Sequence, residues 1–226
     1  MRAILLAVVA SICLADPVDD IHGGLRELGS PPALTAATLA AATGTISWAL
    51  FDREVGERLA RRRPLGISRV ADAATSPMML LLAHGLWTAG HGDGGALAET
   101  GRLATESMAA SYAFVAAGKL LVGRQRPDGS STSSFPSAHA AGAACLVTAT
   151  ACRSRSAAAT AAAAAAGALI CASRVDLGRH YLSDVIAGAG IGAALTLALD
   201  RHLESESQGG FFVGYDTAAG FRVTVP

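Results

Sequence analysis

Three short stretches hold most of the side chains capable of chemistry: KLLVGRQRP from Lys119, SFPSAHAAG from Ser134 and SRVDLGRHYLSD from Ser173. In the first, Lys119 and Arg126 stand seven residues apart, where an apolar run ends at Pro127. Two cations placed so can share one anion or cap a helix C-terminus. In the second, Pro136 and Ser137 open a helix with Ala138 and His139 in its first turn. Free backbone N–H groups and the positive end of the helix dipole then lie beside an imidazole, which suits a phosphate as well as a plain N-cap. In the third, His180 and Asp184 are spaced i, i+4 with Arg174 upstream. That spacing lets carboxylate and imidazole face each other across one helical turn. Unpaired charges in so apolar a chain are expensive to bury, so these groups are expected to face a wet cavity, an anion or one another.

The elements that must position them read as helices. Hydrophobic residues make up 51% of the 226 and charged residues 16%, with eighteen of each sign, so no basic field invites nucleic acid. The alanine content and a mean hydropathy of +0.40 point to close-packed helices and an all-α fold. Six apolar segments stand out: 34–51, 78–88, 108–122, 138–152, 157–172 and 185–199, separated by Gly, Pro and charge clusters. Between the first two, DREVGERLARRRPLGISRVADAA reads as short surface helices with solvated arginines, the triplet Arg61–Arg63 included. Residues 206–226 contain two β-prone runs divided by turn residues, which predicts a terminal hairpin.

Residues 1–15, MRAILLAVVASICLA, have the layout of a secretory signal or of an uncleaved anchor, so export to the cell envelope is expected. Residues 16–205 would then form one helical domain. Cys145, Cys152 and Cys171 lie in Ala-rich segments with no metal-ligand spacing and read as small buried hydrophobes. At about 1.5 Å rise per residue, the last three apolar segments reach only about 24 Å against a hydrocarbon core of about 30 Å. They are marginal as spans, while the near absence of charge within them suits a membrane.

In an up-and-down bundle, the links after the third and fifth apolar helices and the starts of the fourth and sixth fall at one end. The three polar stretches can therefore converge. Lysine, arginines, a serine hydroxyl and helix N-terminal amides form a cradle for a phosphoryl group in transfer, with no metal or other cofactor required. One histidine held by a carboxylate can act as nucleophile or base, and a second can protonate a leaving oxygen.

These stretches, in order and with intact spacing, resemble the type 2 phosphatidic acid phosphatase superfamily, which includes bacterial acid phosphatases, lipid phosphatases and vanadium haloperoxidases. The resemblance is dense over residues 119–184. It implies the six-helix bundle of that superfamily and a phosphatase acting on a phosphorylated lipid or small phosphate ester. It further implies that His180 becomes phosphohistidine, that Asp184 orients it and that His139 is the general acid. Lys119, Arg126, Ser137, Ala138 and Arg174 would hold the phosphate. Ala138 stands where the family pattern has Gly; its N–H is retained, and a negative φ would fit it there. A vanadate-dependent haloperoxidase and a non-catalytic helical membrane protein are the alternative readings.

Overall fold

The computed structural model describes residues 17–60, 64–72, 76–90, 95–209, 212–216 and 220–224. The expected signal or anchor at 1–15 and the triplet Arg61–Arg63 lie outside these residues. Helices follow one another as α1 (Pro17–Arg26), α2 (Pro31–Leu50), α3 (Asp52–Ala60), α4 (Gly66–Asp72), α5 (Ser76–Ala89), α6 (Ala96–Val122), α7 (Ala138–Arg153), α8 (Ala157–Asp176) and α9 (Leu182–Gly209). Two strands, β1 (Phe212–Asp216) and β2 (Gly220–Thr224), pair antiparallel with Val213 opposite Val223. Each of the six apolar segments lies in one of the helices α2 and α5 to α9, but for Phe51, which caps α2. α3 and α4 are the short helices expected between the first two, and among the described residues α1 is the addition.

The helices outrun the apolar segments that announce them. α6 begins at Ala96, and its first half buries Thr100, Thr105, Glu106 and Ser107 along with Leu103 and Met108. α9 has 28 residues, about 42 Å, because polar residues with good helix propensity carry it past Leu199. The short reach expected from apolar composition alone is thus corrected for α8 and α9, while α7, with 16 residues, keeps it. Three helices are long and apolar enough to cross a membrane: Pro31–Leu50, Ala157–Asp176 and Leu182–Glu206. Only 17% of each of the first two is buried, against 61% of the third. α9 is accordingly the central strut, and α2 and α8 present apolar surface outward.

α9 packs on α2 and α7; α7 in turn contacts α6 and α8, and α5 lies on α6. Met79, Leu80 and Ala83 of α5, Leu103, Ala104 and Met108 of α6, and Ala143, Cys145 and Ala149 of α7 share one core with Leu199 of α9. The GAGIG run of α9 explains how closely its neighbours approach. A Cβ on Gly188 would come within 2.3 Å of the Ser137 carbonyl oxygen, and one on Gly192 within 2.2 Å of that of Ala141. On the opposite face, a Cβ on Gly190 would come within 2.0 Å of Ala40 of α2. Small residues at this spacing let helix backbones touch, and here they bring the start of α7 against the start of α9.

Candidate active site

α6 stops short of Arg126. Gly123 adopts a left-handed conformation (φ 58°) and its N–H caps the Lys119 carbonyl at 3.1 Å, a termination that glycine permits without strain. The chain then turns back, with Arg126 N–H donating to Ser131 O (2.9 Å) and Ser134 N–H to Arg124 O (2.9 Å). Lys119 Nζ donates to Ser133 O at 2.5 Å from the helix side of this turn. Lys119 and Arg126 are thus neighbours through a folded loop, not through a continued helix. Burial, followed by the charge of Arg126, pulls the Lys119 ammonium down from its ordinary 10.5 to about 8, with Asp184 opposing. Arg126 Nε is buried and has no hydrogen-bond partner, a donor left open on the loop.

Ser137 caps α7: its hydroxyl accepts from Ala140 N–H at 3.4 Å, while its own N–H donates to Asp184 O at 3.0 Å. Ala138 and His139 follow in the first helical turn, half-buried. At the end of α8, the Arg174 side chain is buried, with Nε and Nη2 donating to Ser173 Oγ at 3.2 and 3.1 Å. The Arg174 carbonyl accepts the His180 and Arg179 amides, so the chain folds back on the helix end before α9 begins. A second tie joins the links, Asp128 N–H to Gly178 O at 3.1 Å and Arg179 to Asp128 at 3.0 Å. The three polar stretches meet at one end of the bundle.

His180 lies in a bend ahead of α9, so the i, i+4 geometry expected for His180 and Asp184 does not apply. Its Nδ1–H donates to the Ser134 carbonyl at 2.6 Å, whereas Asp184 Oδ2 is 4.0 Å away, beyond hydrogen-bond reach. A carbonyl only accepts, which fixes the proton on Nδ1 and leaves Nε2 bare. Burial first, and then the charges of Lys119, Arg126 and His139, press the imidazole down to about 3, against the Ser134 bond that opposes the shift. Four of the expected residues thus act on one another electrostatically. A ring with its pKa lowered is neutral at every pH above that value.

Asp184 stands one step behind. Its Oδ2 accepts from Ser134 Oγ (2.5 Å) and Tyr181 N–H (2.9 Å), and its Oδ1 from Arg124 Nη1 (2.6 Å). Asp184 therefore stands at 4.0 Å from the ring and is also joined to it through Ser134. Arg124 also donates from Nη1 to Ser183 Oγ (2.7 Å) and from Nη2 to Asp52 Oδ2 (2.9 Å), and its guanidinium lies 4.0 Å over the Tyr181 ring. Ser134, Ser183, Arg124 and Asp52 were not legible as site residues. Arg124 stands in the first quoted stretch, but spacing offers no means of choosing between it and Arg126. Asp52 bonds to Ser183 from 131 residues away, and no local pattern marks it.

Beside this cluster runs an apolar trough. A cavity of about 570 Å³ is lined by Gly44, Trp48, Val122, Arg124, Phe135 and Ser183, among others. A second of about 380 Å³ reaches Leu28, Ile191 and Leu195. The two share Ala40, Ala41, Phe135 and Ala187 and follow the seam between α2 and α9. From Ser183 to Leu195 along α9 the trough is about 18 Å long.

A family model described as the PAP2 superfamily matches residues 101–204, from the first turns of α6 to the last turns of α9. That segment matches the PAP2 superfamily. The match points to phosphatase-type chemistry on phosphate esters. The PAP2 segment carries Lys119, Arg126, Ser137, Ala138, His139, Arg174, His180 and Asp184; Asp52 and the α2 wall of the trough precede it. No curated protein and no solved structure was found to match the chain.

Proposed function

We propose that the protein is a metal-independent phosphatase that hydrolyses phosphate monoesters or diphosphates carried on lipid, through a phosphohistidine at His180. One observation carries the reaction type: a neutral His180 with its proton held on Nδ1 and Nε2 open, in the field of Lys119, Arg126 and His139. Nε2 attacks phosphorus and the P–O bond to the leaving group breaks, while His139 delivers a proton to the departing oxygen. Water then attacks the phosphohistidine with His139 as base, releasing inorganic phosphate and restoring His180. Lys119, Arg126, Arg174 and the amides at the start of α7 neutralise the equatorial oxygens, the part that a metal plays elsewhere. The open Nε of Arg126 suits one of those oxygens.

The trough supports a lipid substrate. It is apolar along its length, and it opens beside Arg124 and Ser183 next to the cradle. Around the same end, Trp48 and Leu50 of α2, Phe51 just past it, and Leu120, Leu121 and Val122 of α6 are exposed. Apolar groups so clustered mark a contact surface, here with the membrane on which such a substrate resides. An enzyme held at the cell envelope is the matching location.

The test is phosphate release from phosphatidate in mixed micelles and from p-nitrophenyl phosphate, in EDTA, by wild type and His180→Ala. Release by the wild type with phosphatidate preferred, loss in His180→Ala, and an acid-labile phosphoenzyme trapped on His180 are expected. Activity abolished by EDTA, or retained in His180→Ala, would refute the mechanism. A preference for the soluble ester would refute the lipid assignment.

A further inference from the structure

Asp52 opens α3, a helix that lies ahead of the PAP2 segment, yet its carboxylate is buried against the loop that carries His180. Both oxygens are committed. Oδ1 accepts from Ser183 N–H at 3.1 Å and from Ser47 Oγ at 3.4 Å. Oδ2 accepts from Ser183 Oγ and, at 2.9 Å, from Arg124 Nη2. Arg124 in turn spans two carboxylates, Asp52 at one fork and Asp184 at the other. A planar guanidinium fixed at both forks and stacked on Tyr181 has no freedom to swing, which a lysine at this place could not match. Asp184 passes the constraint on by two routes, to the Ser134 hydroxyl and to the amide of Tyr181, the residue next to His180. The Ser134 carbonyl ends the chain of contacts at His180 Nδ1.

We propose that Asp52 and Arg124 are positioning residues of this site, acting through Asp184 and Ser134 to set the orientation and tautomer of His180. The proposal rests on the reading of His180 as nucleophile. Neither residue touches the phosphate in this scheme. Asp52 holds the guanidinium, the guanidinium holds Asp184, and the loop between α8 and α9 takes its shape from both.

The experiment is a double-mutant cycle of Asp52→Asn and Arg124→Met, with Ser183→Ala as a milder variant that keeps every charge and removes only the shared hydroxyl. Turnover, KM and product inhibition by inorganic phosphate are measured for each soluble variant. Each single charge variant is expected to lose roughly 10²-fold in kcat, and the double variant no more than the worse single, because residues of one unit are not additive. Ser183→Ala is expected to lose about tenfold in kcat. KM and the inhibition constant of inorganic phosphate should stay within about threefold throughout. NMR of the His180 ring nitrogens, with labelled histidine, should show one Nδ1–H tautomer in the wild type and a mixture in Asp52→Asn. Additive losses, unchanged turnover in Ser183→Ala together with Asp52→Asn, or a loss appearing as affinity for inorganic phosphate would overturn the proposal. The last would place Arg124 on the substrate. The NMR readout is independent of turnover: an inactive wild type whose tautomer still depends on Asp52 would refute the phosphatase reading and leave this inference standing.

Discussion

The ammonium of Lys119 should set the alkaline limit of catalysis. It is half-buried, donates to the Ser133 carbonyl and feels Arg126, and its pKa falls from 10.5 to about 8. The sign follows directly: above about pH 8 the free enzyme holds a neutral amine, and a neutral amine attracts no phosphate. In kcat/KM, which reports the free enzyme, activity should therefore be halved near pH 8 and fall about tenfold for each further unit. Bound phosphate favours the protonated form, so the same limb in kcat must lie higher, by about one unit for each tenfold preference of the anion for charged Lys119. In Lys119→Arg the charge persists past pH 12, and the limb should vanish even if the longer head lowers the plateau about tenfold. Initial rates at subsaturating and saturating substrate from pH 5 to 10.5 measure all three quantities. A limb at pH 8 that survives in Lys119→Arg would belong to another group, and a wild-type limb above pH 10 would show that the cradle does not depress the lysine at all.

Two other perturbations separate chemistry from packing. His139→Ala should slow hydrolysis of an alkyl phosphate by roughly 10²-fold or more, while p-nitrophenyl phosphate, whose leaving group departs unprotonated, gives a burst of one nitrophenol per site and then slow turnover. Equal slowing of both esters without a burst would remove His139 from the acid role. Gly192→Ala forces a methyl group against the Ala141 carbonyl and should cost roughly 2–3 kcal/mol, seen as a melting temperature about 5–10 °C lower in calorimetry. An unchanged melting temperature would mean that α7 and α9 can part at no cost.

The sequence carried the chemistry further than the geometry. That His139, His180, Lys119 and Arg126 come within reach of one another was legible, because polar groups at the ends of apolar helices are rare and their order along the chain predicts one shared end. Helix lengths were not, since the signal used was apolar composition, and α6 and α9 continue through polar residues that the core or solvent accepts. The carbonyl that takes the His180 proton, that of Ser134, is hidden for a related reason. An i, i+4 argument presumes a helix at both residues, and α9 starts two residues after His180. Asp52 was beyond reach altogether, because a contact between distant parts of the chain leaves no periodicity to read.

That last contact bears on where a working unit ends. The segment recognisable as PAP2 starts in α6, but of the two carboxylates that hold Arg124 one lies outside it, on α3, and one wall of the trough is supplied by α2. A fragment trimmed to residues 101–204 would keep every motif residue and still leave Arg124 with one of its two carboxylates and a groove without its second side. Recognisable ancestry and mechanical completeness therefore have different boundaries in this chain, and the N-terminal helices belong to the second.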